Sequence, residues 1–394
     1  MANKALNFLS LFSGCGGFDL GFQKEGFRCV GAYDIDPVAL KTHQKNLESP
    51  VFQCDLTLST GSLFRQKKID VLLSGSPCQG FSTLGKRHID DPRNELLLLS
   101  GRIALKVKPK VFIVENVPGV LSGAHKKYWD TLQDMLREGG YQTTEIHCKG
   151  IEMGIAQTRV RIFLLAWKSR KNFNLIIRPS KRKVLKDVIS NINGTINHNP
   201  KIIPKDSEQY LICKKIKAGQ KLSNVRSGPR AVHTWDIPEV YGFTTIKEKT
   251  VLEAMLLIRR QRRVRDYGDA DPIPVSLLHR QFGKQIIRSL EFKGYIRRLD
   301  KHYDLTNTFN GKFRRMSWDE PSNTVDTRFG ESKYYLHPEE HRGFTIREAA
   351  RIQGFPDTFI FEGGERDQYK MIGNAVPPPM SEGLAKIIKR QIIQ

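Results

Sequence analysis

The chain has 394 residues, 39% hydrophobic and 27% charged, with 64 Lys and Arg against 41 Asp and Glu for a net charge of +23. This length accommodates two domains with a sizeable core, and no apolar run approaches the roughly 18 residues that a membrane span needs. The cysteines at positions 15, 29, 54, 78, 148 and 213 form no Cys-x-x-Cys pair, which argues against a zinc site or a disulfide framework.

The opening MANKALNFLSLFSGCGG lacks a cleavage site and runs into a strand pattern, so a cytoplasmic protein is expected. Within the first 167 residues LNFLSLF, RCVGAY, DVLLSG, KVFIVE and RIFLLAW read as strands. Between them PVALKTHQKN, ELLLLSGRIALKV and YWDTLQDMLREGG have helical spacing. The alternation predicts an α/β fold with a mostly parallel sheet covered on both faces.

After Trp167 the texture changes: residues 168–245 are basic and punctuated by Pro and Gly. Helices are predicted over Thr250–Arg265, Val275–Phe282 and Lys284–Lys293, followed by a hairpin in GYIRRLDKHYDLT. That order suggests a winged helix-turn-helix, and equally allows a helical insertion that only packs. From Arg342 a well-patterned segment resumes and closes with a helix near Met380–Ile393. The expected layout is one catalytic domain in two pieces, 1–167 and 343–394. A smaller basic domain, 168–342, interrupts it and contains the winged-helix-like insertion at 247–305. Twenty of the net positive charges lie between residues 167 and 315, which favours a nucleic-acid partner over an ordinary solvated surface.

Four segments carry chemistry. FSGCGG (Phe12–Gly17) lies at a strand-to-helix turn, where glycines let a ligand approach the backbone. Asp34 ends the second strand about 20 residues on, where a carboxylate accepts ribose hydroxyls, and Asp55 follows a third strand within reach of an adenine amino group. GSPCQGFS (Gly75–Ser82) places Cys78 at the carboxyl edge of the sheet; the bland alternative is a buried structural cysteine. VFIVENVPG (Val111–Gly119) puts Glu115 at another strand end, where a structural or capping role is the alternative. QTRVR (Gln157–Arg161) sets Arg159 and Arg161 on one face of an extended segment.

One reaction joins these pieces. A thiolate adding to carbon 6 of cytosine, with an acid at N3 and a cation near the base carbonyl and phosphate, makes carbon 5 nucleophilic toward a sulfonium methyl. The segments in this order resemble the cytosine-5 DNA methyltransferases, especially the bacterial restriction–modification enzymes. REAARIQGFP (Arg347–Pro356), YKMIGNAVP (Tyr369–Pro377) and RRMSWDEPSNTV (Arg314–Val325) are similar to further family motifs, so the likeness covers about residues 6–167 and 313–392.

The resemblance implies a Rossmann-like S-adenosylmethionine-dependent methyltransferase domain. Its cofactor pocket would be built from Phe12, Gly14, Cys15, Gly16, Gly17, Asp34, Ile35, Asp55, Leu56, Pro77 and Leu96, and completed by Asn374 and Val376. Cys78, Glu115, Arg159 and Arg161 would be catalytic, and Thr324, with Gln79, Ser82, Lys86, Arg87 and Arg93, would touch DNA. The loop from Gly80 to about Glu95 is expected to close on the DNA around a flipped base. Double-stranded DNA is the implied partner, a cognate restriction endonuclease a candidate second one, and a monomer the expected state. Two positions depart from the family: Asp34 stands where a Glu is usual, and Ile35 stands where some relatives stack an aromatic ring.

The middle segment matches no family motif. Its candidates for reading DNA are Lys284 and Arg288 on the third predicted helix, with Arg226, Arg230 and Trp235 next. An RNA methyltransferase on the same frame explains the basic middle less well, since readers of duplex sequence need a separate groove-binding element. A non-enzymatic relative is disfavoured because both Cys78 and Glu115 are present. A nicotinamide-dependent oxidoreductase leaves both without a role.

Overall fold

The computed structural model describes residues 5–58, 68–77, 94–168, 175, 177–192, 194–265 and 270–390. The chain forms two compact units: Met1–His198 with Asp319–Arg328 and Ile346–Gln394, and Asn199–Trp318 with Phe329–Thr345.

In the first unit β1 (Asn7–Leu11), β2 (Arg28–Asp34), β3 (Val51–Gln53), β4 (Val71–Ser74), β5 (Val111–Asn116), β6 (Gln142–Lys149) and β7 (Val160–Trp167) form a seven-stranded sheet in the order 3-2-1-4-5-7-6. The first five pair in parallel, and β7 runs antiparallel to β5 and β6. Side chains of alternating parity enter two separate cores. Phe8, Val71, Leu73, Val111, Ile113, Phe163 and Leu165 face one; Leu9, Leu11, Leu72, Phe112, Val114, Ile162 and Leu164 face the other. With both faces covered the strands read as continuous apolar runs, and so they were visible in the sequence. β6 is the exception. It is an edge strand of mixed polarity, QTTEIHCK, and is mostly half-exposed, so no apolar run marks it.

Helices α1 (Gly17–Lys24), α2 (Pro37–Asn46), α3 (Glu95–Val107) and α4 (Lys126–Glu138) alternate with these strands. α3 and α4 cover one face through Leu97, Ile103, Trp129, Leu132 and Leu136. Each such side chain, fully buried, contributes about 1.5–3 kcal/mol. The other face is covered by α1 and by the last helix of the chain. The order reverses between β1 and β4, and at such a switch point the carboxyl ends of the strands diverge into a crevice.

A short helix α5 (Lys186–Ile189) precedes the second unit. That unit holds α6 (Glu208–Lys215), β8 (Lys221–Leu222), β9 (Ala231–Val232), α7 (Pro238–Tyr241), α8 (Ile246–Gln261), β10 (Ile273–Pro274), α9 (Val275–Phe282), α10 (Lys284–Phe292), β11 (Ile296–Leu299), β12 (His302–Leu305), β13 (Arg314–Arg315) and β14 (Tyr335–Leu336). α8 begins four residues before the predicted Thr250, because Thr245 caps it and Glu248 returns the bond to the cap backbone. α9 coincides with the expected helix and α10 ends one residue short of it.

The chain then returns to the first unit with α11 (Ile346–Gln353), α12 (Glu365–Asn374) and α13 (Pro378–Ile388). α13 lies against α1 so closely that a Cβ on Gly21 would stand 2.0 Å from Ser381 Oγ. Close packing of the two termini explains why the motifs of one domain sit at opposite ends of the sequence. Residues 168–198 belong to the first unit, so the second carries 27 Lys and Arg against 15 Asp and Glu, a net +12.

Candidate active site

The ends of β1, β2 and β5, with the residues that follow β3 and β4, line the carboxyl edge of the sheet. Phe12, Gly14 and Gly16 all take positive φ, at 53°, 53° and 90°, and α1 begins at Gly17. At Gly16 a Cβ would lie 2.4 Å from Leu47 Cδ1, and at Gly17 one would lie 2.5 Å from the Val376 carbonyl; at Gly14 it would meet nothing within 4 Å. The turn is thus packed from behind by two glycines and open at the third.

Asp34, closing β2, accepts the Gly14 N–H at 2.8 Å and the Asp36 N–H at 2.9 Å on separate carboxylate oxygens. Burial raises its pKa, and these backbone donors work against the rise. Ile35 beside it is 62% exposed and offers an apolar face. Asp55, after β3, accepts the N–H and hydroxyl of Thr57, which lower its pKa. Leu56 is buried, Pro77 and Leu96 are half-buried, Val376 is buried, and Asn374 is exposed at the end of α12. Cys15 is buried, with its thiol pushed up to about 12 by desolvation.

Gly75, Ser76 and Pro77 lead out of β4 along the same edge, with the Gly75 N–H donating to Leu11 O at 3.2 Å. Cys78, Gln79, Ser82, Lys86, Arg87 and Arg93, and with them residues 80–93 of the loop expected to close on the DNA, lie outside the described residues.

Glu115 ends β5 with 6% exposure. It sits opposite Phe163 on β7, so Arg161, two residues along, is its diagonal neighbour on the same face. Arg161 Nε meets Glu115 Oε1 at 2.6 Å. Burial raises the pKa of Glu115, and the charges of Arg161 and Arg159 oppose that rise.

Arg159 corrects an expectation. It is wholly buried, and its guanidinium donates to the carbonyls of Val325, Gly373 and Ala375, each at 3.0 Å. A guanidinium committed to three backbone acceptors is a strut, not a cation held out toward a base. The sequence reading also missed two amides. Gln157 donates to Ile352 O and Gln353 Oε1 and accepts the Val325 N–H. Gln353 in turn donates to Ile372 O and Ala375 O. Together the three side chains hold the segment of Thr324 and the segment of Asn374 and Val376 against the start of β7. The QTRVR motif contained the signal, but only its arginines attracted attention. Of the candidate DNA readers in the second unit, Arg226, Arg230, Lys284 and Arg288 are exposed. Trp235 is 1% exposed and stacked on His233, so it is a core residue and not a reader.

The family model for C-5 cytosine-specific DNA methylases matches residues 6–390. The type II methyltransferase M.HgiCII of Herpetosiphon aurantiacus is 28% identical over 98% of this chain and 97% of its own length. M.Eco47II of Escherichia coli is 30% identical over 98% of this chain and 80% of its own. Among solved structures, a DNA modification methyltransferase encoded within an E. coli prophage has a TM-score of 0.60 at 23% identity, covering 99% of this chain and all of its own. The Entamoeba histolytica methyltransferase EhMeth has a TM-score of 0.58 at 17% identity, with full coverage of both chains. A carboxylate at the end of β2, a buried acid at the end of β5 and a match across nearly the whole sequence agree: the chain belongs to the C-5 cytosine-specific DNA methylases.

Proposed function

We propose that this DNA cytosine-5 methyltransferase of the type II restriction–modification kind works on a cytosine turned out of the duplex, with Cys78 as covalent nucleophile and S-adenosylmethionine as methyl donor. The observation that carries the reading is Glu115, a buried acid beside Arg161 at the sheet edge where the strand leading to Cys78 also ends.

The donor set at the ends of β1–β3 suits an adenosine cofactor. Asp34 is a carboxylate oriented by two backbone amides with lone pairs left for a ribose diol, Ile35 is an apolar face for a ring, and Asp55 is a half-buried acceptor for an amino group. When bound, S-adenosylmethionine supplies a methyl group on a sulfonium sulfur. Adenosine recognition falls to Gly14, Asp34, Ile35 and Asp55; Asn374 and Val376, whose carbonyl packs behind Gly17, complete the set.

Cys78 adds as thiolate to carbon 6 of the base. The electrons of the 5,6 double bond move to carbon 5 as Glu115 delivers its proton to N3. The raised pKa of Glu115 keeps that proton available nearer neutrality than a free carboxyl would. Carbon 5 takes the methyl group, leaving the donor a neutral thioether; a water-borne base then takes the carbon-5 proton, the 5,6 double bond re-forms as the thiolate is expelled, and N3 returns its proton to Glu115. Burial pushes the thiols of Cys15 and Cys148 up to about 12 and that of Cys213 up to about 11, which disfavours these three as nucleophiles. Carbon 6 is attacked from the face that stacking covers, so the base must leave the helix.

The test is a duplex carrying 5-fluorocytosine at the target, since fluorine blocks loss from carbon 5 and traps the adduct. The covalent complex should map to Cys78, and Cys78→Ser should bind DNA normally yet transfer no methyl. A trapped adduct at another cysteine, or methyl transfer to tRNA in preference to duplex DNA, would overturn the reading.

A further inference from the structure

Residues 246–305 form a module of their own within the second unit. The order is α8, β10, α9, α10, then the hairpin β11–β12, with β10 pairing antiparallel to β12 through Ile273↔Tyr303 and Pro274↔His302. A shared core of Val251, Leu252, Met255, Leu256, Ile273, Leu278, Ile287, Leu290, Ile296 and Leu305 holds the three helices and the sheet together. Gly283 alone separates α9 from α10, at φ 86°, making the sharp turn that a helix-turn-helix requires.

The charges of this module are sorted. Its main carboxylates are turned inward and committed. Glu248 of α8 accepts from Ser289 at 2.7 Å and from Lys293 at 2.8 Å, fixing α10. Asp304 of β12 pairs with the buried Arg259 at 2.7 Å, fixing the hairpin. Glu291 accepts the Tyr303 hydroxyl at 2.7 Å, joining α10 to β12, and Asp271 pairs with Arg265. The cations face out. α10 presents Lys284, Gln285 and Arg288 on one exposed face, with Phe292 at its end 93% exposed. The side chains of Lys284, Gln285 and Arg288 have no hydrogen bond or ion pair among the described residues. The hairpin tip exposes Arg297, Arg298, Lys301 and His302, with one carboxylate, Asp300, exposed among them.

An outward helix face of this kind has no carboxylate to repel a polyanion. It combines a donor suited to guanine, an amide suited to adenine and an aromatic edge suited to a thymine methyl. We propose that residues 246–305 are a winged-helix reader of duplex DNA, with α10 in the major groove reading bases through Arg288, Gln285 and Lys284 and the β11–β12 hairpin on the phosphate backbone. This deepens the proposed function, since it takes duplex DNA as the substrate and adds a reading element to the enzyme.

The experiment is methylation by the full-length enzyme of a duplex library randomised around the target cytosine, with preference scored at every position. Arg288→Ala should relax the preference at one base pair by about 10- to 100-fold. Arg288→Lys keeps the charge and loses the two-pronged donor, so it should relax the same position while holding affinity for bulk DNA near wild type. Lys301→Ala should weaken all sequences alike and flatten the salt dependence by about one ion. The pair Lys127→Ala and Arg137→Ala removes two cations from α4 and should leave the preference unchanged. Preference unaltered in both Arg288 variants sinks the base-reading assignment, whether affinity falls uniformly or only the oligomeric state changes. A wild-type enzyme that methylated no duplex would instead count against the proposed function.

Discussion

Arg159 and Arg161 flank the first residue of β7, yet they do different things. Arg161 reaches the carboxylate of Glu115, while Arg159 spends its donors on three buried carbonyls. Arg159→Ala would take their side-chain donor from the Val325 and Gly373 carbonyls, at about 1–3 kcal/mol each where they stay dry, while the Ala375 carbonyl keeps Gln353. We expect a large drop in unfolding midpoint and loss of activity that follows the loss of fold. Arg161→Ala should fold, because its side chain reaches solvent. It removes the largest influence holding the Glu115 pKa down, so Glu115 stays protonated to higher pH. The basic limb of the activity profile should move upward, with a lower maximum. A profile that kept its position in Arg161→Ala would show that Glu115 is not the titrating acid. No sequence pattern separates the two arginines; the acceptors of Arg159 come from segments more than 150 residues away, whereas Arg161 meets Glu115 on the neighbouring strand β5.

At the scale of elements, the module 246–305 shows how one side chain can set the attitude of two helices. Glu248 caps α8 through Thr245 and binds Ser289 of α10 and Lys293 just past its end, and these partners bring its carboxyl down from 4.5 to about 2 despite burial. A depressed folded-state pKa stabilises above the unfolded value and is lost as pH falls through the folded one. The contribution of Glu248 is therefore complete above pH 4.5 and fades toward pH 2. Glu248→Gln should cost about 2–3 kcal/mol at neutral pH. Denaturant unfolding of the two proteins should give a gap that is constant above about pH 5 and narrows below it. A gap that widened in acid would mean the carboxylate is not held by these partners. The same residue explains the early start of α8. Thr245-x-x-Glu248 is a capping box written in the sequence, but the apolar run begins only at Val251 and drew the predicted start toward it.

Over the whole molecule the distribution of labour follows the two units. The first holds the ends of the parallel strands and every proposed cofactor contact; the second holds a net +12 and the module 246–305. Transplanting 199–318 with 329–345 into a related methyltransferase, while the host keeps its own equivalent of 319–328, should carry the target sequence with it. Segment 319–328 must stay with the host because Ser322 and Val325 are bonded to the strand of Gln157 and Arg159 in the first unit. A chimera that methylated the host's sequence would contradict the assignment of recognition to the second unit.

The amino-acid order alone determined the parallel strands, because a sheet covered on both faces needs short apolar runs, and their length, β-branched residues and flanking Gly or polar residues set them apart from buried helices. It also determined the family, since the glycine turn, the acid at a strand end and the paired arginines recur in one order at strand edges. The edge strand β6 escaped because a half-exposed strand carries mixed residues. What only the tertiary structure decided was which polar side chains serve chemistry and which serve architecture. Trp235 became core and Arg159 a strut once their surroundings were assembled, and Gln157 and Gln353 emerged as a clamp. Sequence records a side chain's donors and acceptors, but its role depends on whether burial and long-range partners use them up.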